Sequence, residues 1–356
     1  MKLVILKNEI PKSEERWVKS CEKKNISHSI VDLTCVNWLE LILSEKPDLL
    51  LARPSGLTAP FKILYDERLE ILVNELKIPC FPTLGEVKIY ENKKYFSYWL
   101  KANDLPHPQT NIFYFEQEAI KFCEKQDKFP LVAKSNIGAS GSGVIIIESK
   151  TELLHYIKQT FNGTGAQKRV GPNLKKGKLI KRAVNLMLSP KKIIDKYAIY
   201  KARALDIQRD FVLFQEYIPH EFEWRVVCLG DSFFAHKKLL SGEMTSGSLL
   251  KDYGNPPLEL LDFVKELTDK FNFKSMAVDL FETSPTEFLI NEMQCIFGQS
   301  DAFQMKVDGI IGRYIHSGDK WVFEAGDFNT NESYDLRLEA AIDYYQSIKN
   351  ERTFRR

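Results

Sequence analysis

Short apolar runs alternate with segments of helical periodicity along the first quarter of the chain. The predicted strands are residues 3–6, 29–33, 48–53 and 78–82, and the predicted helices are residues 13–24, 36–44 and 61–76. Ser13 is the type of residue that caps a helix N-terminus, and we expect it to open the first helix. Because strands that alternate with helices form parallel sheets, residues 1–85 are predicted to form a small parallel α/β unit with its last strand at an edge.

A glycine-rich stretch between two apolar runs follows this unit. The elements predicted before it are a helix at 93–102, a strand at 109–115 and a helix at 117–126. Its first apolar run ends at Lys134, three glycines follow at Gly138, Gly141 and Gly143, and a β-branched run occupies residues 144–147. This pattern predicts a hairpin of two strands joined by a glycine-rich loop.

The composition of this loop suits the binding of an anion. Glycines let backbone N–H groups approach a phosphate closely, and Lys134 supplies a positive charge at the base of the loop. A flexible hairpin turn explains the same stretch equally well when it is taken alone.

A final helical pattern over residues 334–348 is predicted to pack back onto the body of the protein, with residues 349–356 frayed.

The charges of the chain are balanced overall but not locally. The net charge is +2 from 50 basic and 48 acidic residues, which gives no global field that would favour nucleic acid. Residues 168–209, in contrast, contain 13 Lys and Arg against two acids, Asp195 and Asp206. This basic segment is either a solvated insertion or a docking surface for an anionic substrate.

Cysteine usage and hydropathy predict the compartment. The six cysteines are scattered without a C-x-x-C pair, which favours a reducing environment and argues against a structural zinc site. No apolar run approaches the roughly 20 residues that a membrane helix needs, and the N-terminus has no signal-peptide pattern. We therefore expect a cytoplasmic protein without a membrane span.

Two carboxylates on neighbouring predicted strands suggest a metal site. Asp279 ends one apolar strand, and Glu292 lies in the next strand beyond a turn. Strand alternation places Gln294 on the same face as Glu292. Carboxylate oxygens suit Mg²⁺, or Mn²⁺ in its place, so Asp279 and Glu292 are predicted metal ligands, and the amide oxygen of Gln294 is also able to ligate. A cross-strand pair at the surface is the simpler alternative.

Four further segments follow Lys134 and its loop in a fixed order. They are residues 211–219, 221–227, 276–281 and 288–294. In this order they resemble the ATP-grasp superfamily, and most of all the branch of ribosomal-protein-S6 glutamate ligases and prokaryotic glutathione synthetases. The resemblance covers roughly residues 90–300 and implies an α/β protein: a Rossmann-like pre-ATP-grasp domain, then an ATP-grasp fold of two α+β subdomains. The implied domains are residues 1–85, a first or lid subdomain at 86–210, a second subdomain with the metal site at 211–330, and a C-terminal helix and tail at 331–356.

The resemblance also implies which residues bind ATP. The phosphates are expected to contact Lys93 and Lys134 and the loop that contains Gly138, Ser140, Gly141 and Gly143. Adenine is expected at the hinge formed by Gln215, Glu216, Tyr217 and Ile218, and the ribose hydroxyls at Glu223. Asn92 stands where the family usually has an Asp before the first lysine, so Lys94 is an alternative to Lys93.

The resemblance places the transfer chemistry beside this site. Arg225 matches the arginine that faces the transferring phosphate. In the similar branch, residues 241–248 would carry an Arg and an Asn beside a Ser, which Thr245 and Gly247 replace here. Lys237 and Lys238 are expected to supply the missing positive charge. The family's Glu-x-Asn metal pattern is Glu292-Met293-Gln294 in this chain, which leaves the number of metal ions open.

These assignments imply an ATP-dependent carboxylate–amine ligase. A substrate carboxylate would attack the γ-phosphate to give an acyl phosphate, and an amine would then displace phosphate. The alternatives are an ATP-grasp phosphotransferase that acts on an anionic small molecule and a catalytically degenerate ATP-binding protein. The expected partners are small-molecule or peptide carboxylates and amines, with no nucleic acid, and the formation of a homo-oligomer stays open.

Overall fold

The computed structural model describes residues 1–138, 143–165, 190–240, 250–299 and 301–354. Within these ranges no helix has the length and hydropathy needed to cross a membrane. The predictions for Ser140, Gly141 and the loop at 241–248, and the first half of the basic segment, lie outside the described residues.

The N-terminal unit is a four-stranded parallel sheet covered by helices, as its hydrophobic pattern predicts. Its strands are β1 (Leu3–Lys7), β2 (His28–Asp32), β3 (Leu49–Ala52) and β4 (Cys80–Phe81), in the order β2-β1-β3-β4. Its helices are α1 (Glu15–Lys23), α2 (Trp38–Glu45) and α3 (Ala59–Glu70), the last continued by a π-helical segment (Ile71–Glu75). β1 and β3 are buried on both faces, which is typical of parallel strands between helices.

The expectation for Ser13 is wrong. Helix α1 begins two residues later, at Glu15, and no side chain caps it. The Ser13 hydroxyl instead accepts a hydrogen bond from the backbone N–H of Asn8 at 3.3 Å. It therefore stabilises the loop after β1 rather than the helix.

A second, antiparallel sheet carries the glycine-rich hairpin. The elements of this part are α4 (Leu84–Ile89), α5 (Lys93–Ala102), β5 (Thr110–Phe113), α6 (Glu116–Lys125), β6 (Leu131–Lys134), β7 (Val144–Ile147), α7 (Lys150–Gln159), a π-helical segment (Thr160–Thr164), α8 (Pro190–Leu205) and β8 (Val212–Glu216). The strand order is β5-β8-β6-β7, and β6 pairs with β7 as the predicted hairpin. Strand β8 thus completes this small sheet although it follows the predicted boundary at residue 210.

A larger antiparallel sheet follows. Its elements are β9 (Phe222–Leu229), β10 (Ser232–Leu239), β11 (Lys251–Asp252), α9 (Leu258–Lys270), β12 (Ser275–Ser284), β13 (Glu287–Gln294), β14 (Lys306–Val307), β15 (Ile310–Ser317) and β16 (Lys320–Ala325). The order is β13-β12-β9-β10-β15-β14, with β11 on β10 and β16 on β15. Asp279 lies in the middle of β12 rather than at the end of its strand, because β12 continues to Ser284, into the turn predicted at residues 283–285.

The C-terminal helix α10 (Tyr334–Phe354) packs against the N-terminal sheet. Leu338 and Ala341 join the core of Leu3 and Trp17, and the rings of Trp17 and Tyr334 meet edge to face with centroids 5.0 Å apart. The prediction that this helix packs onto the body is confirmed. The predicted fraying from residue 349 is wrong, since the helix continues to Phe354.

Candidate active site

A cleft of about 1020 Å³, including its open mouth, lies between the small sheet and the large sheet. It is lined mainly by apolar side chains with a few polar and charged groups, which is the character of a small-molecule site. Many of the residues assigned from the sequence line it, namely Lys93, Lys134, Gly138, Gln215, Glu216, Tyr217, Ile218, Glu223 and Glu292. The structure therefore brings together residues that are spread over about two hundred positions of the chain.

Lys134 stands at the end of β6 on the cleft side of the small sheet. Leu131 and Ala133 point into the core beneath the sheet, so alternation turns Val132 and Lys134 towards the cleft. The ammonium group of Lys134 donates a hydrogen bond to Asn291 Oδ1 at 3.1 Å. Burial lowers the pKa of Lys134 to about 8, although Glu292 opposes this. The Lys134 ammonium is thus held at a site where a negatively charged ligand would stabilise it.

Lys93, rather than Lys94, reaches the cleft. Asn92 caps helix α5 by accepting a hydrogen bond from the backbone N–H of Tyr95, which fixes the direction of the helix. The Lys93 ammonium donates to the carbonyl of Gly138 at 3.0 Å, at the start of the glycine-rich loop. Lys94 lies over the ring of Phe211, 4.3 Å from its centroid, and the residues that line the cleft do not include it.

The predicted hinge lies at the end of β8. Gln215 is buried and donates a hydrogen bond to Thr110 Oγ1 at 3.4 Å, whereas the side chain of Glu216 is exposed. Past the end of the strand, the carbonyl of Ile218 lies 2.6 Å from His220 Nδ1. The neighbouring cleft walls are apolar, with Val132, Ile146, Leu213 and Phe281. Apolar walls beside such a turn can hold a flat aromatic ring.

A network of buried charges lies behind the other wall of the cleft. The Arg225 guanidinium donates two hydrogen bonds to the two oxygens of Asp279, both at 2.7 Å. The Lys238 ammonium bridges Asp279 at 2.7 Å and Glu223 at 2.6 Å. Strand register explains this, since Arg225 pairs with Asp279 across β9 and β12, and Glu223 pairs with Lys238 across β9 and β10.

The pKa values in this network reflect its pairing. Burial alone would raise the pKa of Asp279, but Arg225 and Lys238 outweigh it and hold that pKa well below its usual range. For Lys238 burial acts to lower the pKa, and the carboxylates of Asp279 and Glu223 overcome it and raise the pKa. Asp279 and Lys238 are therefore both charged at neutral pH.

Asn291 joins the two walls, and the sequence did not reveal it. Its Oδ1 accepts from Lys134, and its Nδ2 donates to Glu223 Oε1 at 3.0 Å. Regular alternation would turn Asn291 away from the face of Glu292. The register between β12 and β13 shifts after Asp279, which pairs with Glu292 while Leu280 pairs with Ile290. Because of this β-bulge, Asn291 has no partner in the ladder. The adjacent residues Asn291 and Glu292 can therefore both line the cleft.

Glu292 and Gln294 lie on one face, as alternation predicts, and meet a further carboxylate. Gln294 Nε2 donates to Glu292 Oε1 at 3.1 Å and to Glu91 Oε1 at 3.3 Å. The sequence analysis did not select Glu91, which lies 203 residues from Gln294. Among the described residues no three His, Cys, Asp or Glu side chains converge as a metal-binding group. This cluster consists of two carboxylates and one amide.

Two predicted residues, Lys237 and Gly143, join neither the cleft nor the polar and charged groups beside it. Lys237 is turned to the opposite face of β10, where its ammonium lies over the rings of Phe222 and Trp224, 4.1 Å and 5.1 Å from their centroids. Adjacent strand residues face opposite ways, so Lys238 reaches the charge network and Lys237 does not. Gly143 pairs through its carbonyl with the backbone N–H of Ser135 at 2.8 Å, which closes the base of the loop.

A second group of polar residues borders the charge network on the far side of Arg225. His236 pairs with Arg225 in the register of β9 and β10 and is buried. Burial, with Lys251 and Arg225, lowers the pKa of His236 to about 3, so its ring is neutral at physiological pH. Lys251 and Tyr253 both donate to Asp301 Oδ2, at 2.7 Å and 2.8 Å. None of His236, Lys251, Tyr253 and Asp301 is among the site residues selected from the sequence.

Comparison with known proteins identifies the fold. No family model and no curated protein sequence matches the chain. A D-alanine–D-alanine ligase from Bacillus anthracis matches with 15% identity over 99% of each chain and a TM-score of 0.55. A carboxyaminoimidazole ribonucleotide synthase from Aspergillus clavatus, complexed with ATP, matches with 11% identity over 96% of this chain and 76% of that one, at 0.55. The chain has the ATP-grasp fold.

Within this fold, one similar structure is the RimK domain ATP-grasp protein from Sphaerobacter thermophilus. It has 16% identity and a TM-score of 0.50 over 82% of this chain and 90% of that one. The resemblance to the ATP-grasp superfamily stated from the sequence is thus confirmed as a fold. At these identities the similarity concerns the fold alone, and the chemistry of the chain must be argued from its own residues.

Proposed function

We propose that the chain is an ATP-dependent ligase that joins a carboxylate to an amine through an acyl phosphate and releases ADP and phosphate. The observation that carries this proposal is a cleft lined both by apolar side chains and by two lysines, Lys93 and Lys134. A buried cluster with Arg225 and Lys238 adjoins the cleft through Glu223. This combination of surfaces fits a nucleotide beside a site of phosphoryl transfer.

The apolar side chains of the cleft would hold the adenine ring. Val132, Leu213 and Phe281 offer faces for a flat ring, and the backbone of Tyr217 and Ile218 offers hydrogen-bonding groups at its edge. Glu223 would then reach the ribose hydroxyls, because its carboxylate lies on the cleft wall between Lys238 and Asn291.

The phosphates would lie against Lys134 and Lys93. Burial lowers the pKa of Lys134, so a bound anion would stabilise its charge. Lys93 contacts the carbonyl of Gly138 and would thereby couple phosphate binding to the position of the glycine-rich loop. A loop closed over the phosphates would keep water from the acyl phosphate.

Arg225 and Lys238 would stabilise the charge that develops on the transferred phosphoryl group. Both are held in place by Asp279, so little reorganisation is needed at the moment of transfer. The substrate carboxylate would form a bond to the γ-phosphorus while the bond to the ADP oxygen breaks. The amine would then attack the acyl carbon, phosphate would leave, and the proton of the amine would pass to phosphate or water.

A divalent cation fits the remaining donors. Glu292 and Gln294 present oxygen-bearing groups of the type that Mg²⁺ prefers, and beside them Glu91 Oε2 is a buried carboxylate oxygen without a hydrogen-bond partner among the described residues. When bound, Mg²⁺ would neutralise charge on the phosphates. Asp279, also expected to be a ligand, would first have to release part of its pairing with Arg225 and Lys238.

A phosphate-release assay tests this proposal. Pairs of carboxylates and amines are screened with Mg-ATP, and each substrate is also supplied alone. Release of ADP and phosphate that requires both substrates supports a ligase. A phosphorylated product that persists with one substrate supports a phosphotransferase instead, and ATP binding without turnover across the screen supports a degenerate binding protein.

The variant Glu292→Ala sharpens the test. It removes an oxygen donor from the cleft, so turnover should be abolished while the fold is kept, as circular dichroism would verify. Glu287→Ala serves as the matched control, because Glu287 is an exposed carboxylate on the same strand β13. A fully active Glu292→Ala protein would overturn the role given to Glu292.

A further inference from the structure

Glu91 is held in an unusual and fixed conformation at the edge of the cleft. Its backbone has φ of 51°, in the left-handed region that residues other than glycine rarely adopt. The neighbouring loop packs closely on it, since a Cβ added to Gly56 would lie 3.0 Å from Glu91 Cγ. Strained backbone positions of this kind cluster at functional sites, where surrounding structure maintains them.

The carboxylate of Glu91 is buried with one oxygen unsatisfied. Only 1% of its side chain is exposed, and among the described residues no donor lies within hydrogen-bonding distance of Oε2. The nearest cation is the Lys93 ammonium, 3.6 Å from Oε2. Burial raises the pKa of Glu91, Lys93 opposes this, and the nearby charge of Glu292 adds to it. A carboxylate in such a place costs free energy unless something else stabilises its charge.

Gln294 occupies the position between the two carboxylates. Its Nε2 group, which carries partial positive charge, contacts oxygens of both Glu91 and Glu292 at 3.3 Å and 3.1 Å. A half-turn of the amide would replace this nitrogen by Oε1 and surround one point with three oxygen donors. Two carboxylates and an amide oxygen form a suitable partial shell for a hard divalent cation.

Asp279 is poorly placed for the same task. Both of its oxygens already accept hydrogen bonds from Arg225, and one also accepts from Lys238. A cation would have to compete with two strongly hydrogen-bonded basic groups there. The described partners of the Glu91 carboxylate are weaker: the Lys93 ammonium lies 3.6 Å from Oε2, and Oε1 accepts from the Gln294 amide at 3.3 Å.

We propose that Glu91 supplies a carboxylate ligand to the divalent cation of this cleft, together with Glu292 and Gln294. The proposal rests on the proposed function, because it assumes that the cleft binds a metal–nucleotide complex. It explains why a buried carboxylate is retained next to Lys93. It also gives the amide of Gln294 the role of a ligand, although this side chain is longer than the Asn of the Glu-x-Asn pattern.

Binding of Mn²⁺ in the presence of ADP tests the proposal, with electron paramagnetic resonance as the readout of free and bound ion. Glu91→Gln should raise the dissociation constant of Mn²⁺ by roughly 10- to 100-fold. This is the loss of metal affinity that is typical when a residue supporting a metal site is replaced. Glu91→Asp, which withdraws the carboxylate by one methylene, should weaken Mn²⁺ binding as well. Glu287→Gln, on the same strand as Glu292 but exposed, should bind Mn²⁺ as the wild type does.

Binding of ADP without metal separates this role from the positioning of Lys93. If Glu91 is a ligand, metal-free ADP should bind Glu91→Gln as tightly as the wild type or more tightly. The proposal is overturned if Glu91→Gln weakens the binding of metal-free ADP as much as it weakens the binding of Mn²⁺. It is also overturned if the Mn²⁺ affinities of Glu91→Gln and Glu91→Asp stay within twofold of the wild-type affinity.

The wild-type protein shows which of the two proposals fails. If it binds ADP but Glu91 variants keep normal Mn²⁺ affinity, only the role of Glu91 is wrong. If it binds no ADP with or without Mn²⁺, the proposed function fails and the metal proposal falls with it.

Discussion

The two walls of the cleft hold their charges in different ways. On the small sheet, Lys134 is a cation among apolar residues whose hydrogen-bond partner is the neutral amide of Asn291. On the large sheet, Arg225, Lys238, Asp279 and Glu223 are bound to one another in a continuous network. The small-sheet wall thus carries a positive charge that an anionic ligand could pair with. The charges of the large-sheet wall are already paired with one another.

This difference implies a division of labour. A cation with lowered pKa gains from an incoming anion, so the small sheet should contribute mainly to nucleotide affinity. Paired charges contribute less to affinity, but removal of one partner leaves another charge buried and uncompensated. The large sheet should therefore contribute mainly to stability and to the fixed orientation of Arg225.

The largest expected effect is on the large-sheet wall. Asp279→Asn removes the charge that Arg225 and Lys238 share, and it should lower the free energy of unfolding by about 3–5 kcal/mol, the cost of breaking a buried pair. Urea unfolding measures this change, with an unaltered dependence on denaturant as evidence of the same two-state transition. Asp319→Asn, in the exposed turn between β15 and β16, is the control. A loss below about 1 kcal/mol, as for a surface pair, would contradict the view that the network is structural.

The opposite outcome is expected on the small-sheet wall. Lys134→Met keeps the length of the side chain but removes the charge, so ADP affinity should fall by roughly 10- to 100-fold, which matches about 1.5–3 kcal/mol for a charged hydrogen bond. Its free energy of unfolding should stay unchanged or rise, since a buried cation is lost. Isothermal titration calorimetry gives the affinity, and Lys94→Met is a matched control because Lys94 packs over Phe211 outside the cleft. If Lys134→Met destabilises the protein and leaves ADP binding intact, the contrast between the walls is wrong.

The small-sheet wall is also the one that sequence reasoning could predict. The hydrophobic pattern sets the hairpin of β6 and β7, and alternation along β6 turns Lys134 to the side opposite the core. The parallel N-terminal sheet follows in the same way from its alternation of strands and helices. These features depend on residues close in sequence, which a single chain reveals.

The large-sheet wall depends on contacts that no local pattern encodes. The bulge that turns Asn291 into the cleft arises from the pairing of β12 with β13, not from the composition of either strand. Glu91 reaches Gln294 across 203 residues because α4, just before Glu91, packs against β13. Alternation still separates Lys238 from Lys237, but it cannot show which of the two faces the cleft. The sequence thus predicts which residues are candidates, whereas their pairing requires the fold.

The smallest expected effect is the dependence of nucleotide affinity on pH, and it also tests the small-sheet wall. Lys134 is charged below its pKa of about 8 and neutral above it, and only the charged form attracts phosphate. Metal-free ADP should therefore bind with nearly constant affinity below this pKa and more weakly above it, by roughly tenfold between pH 7 and pH 9. The terminal phosphate of ADP is ionised over this range, because its second pKa lies near 6. Lys134→Arg stays charged throughout, so its affinity for ADP should be flat with pH, while Lys94→Arg should follow the wild type. If the ADP affinity of Lys134→Arg declines with pH as much as that of the wild type, another group is responsible for the titration. Lys134 would then not be the cation that binds the phosphates of ADP.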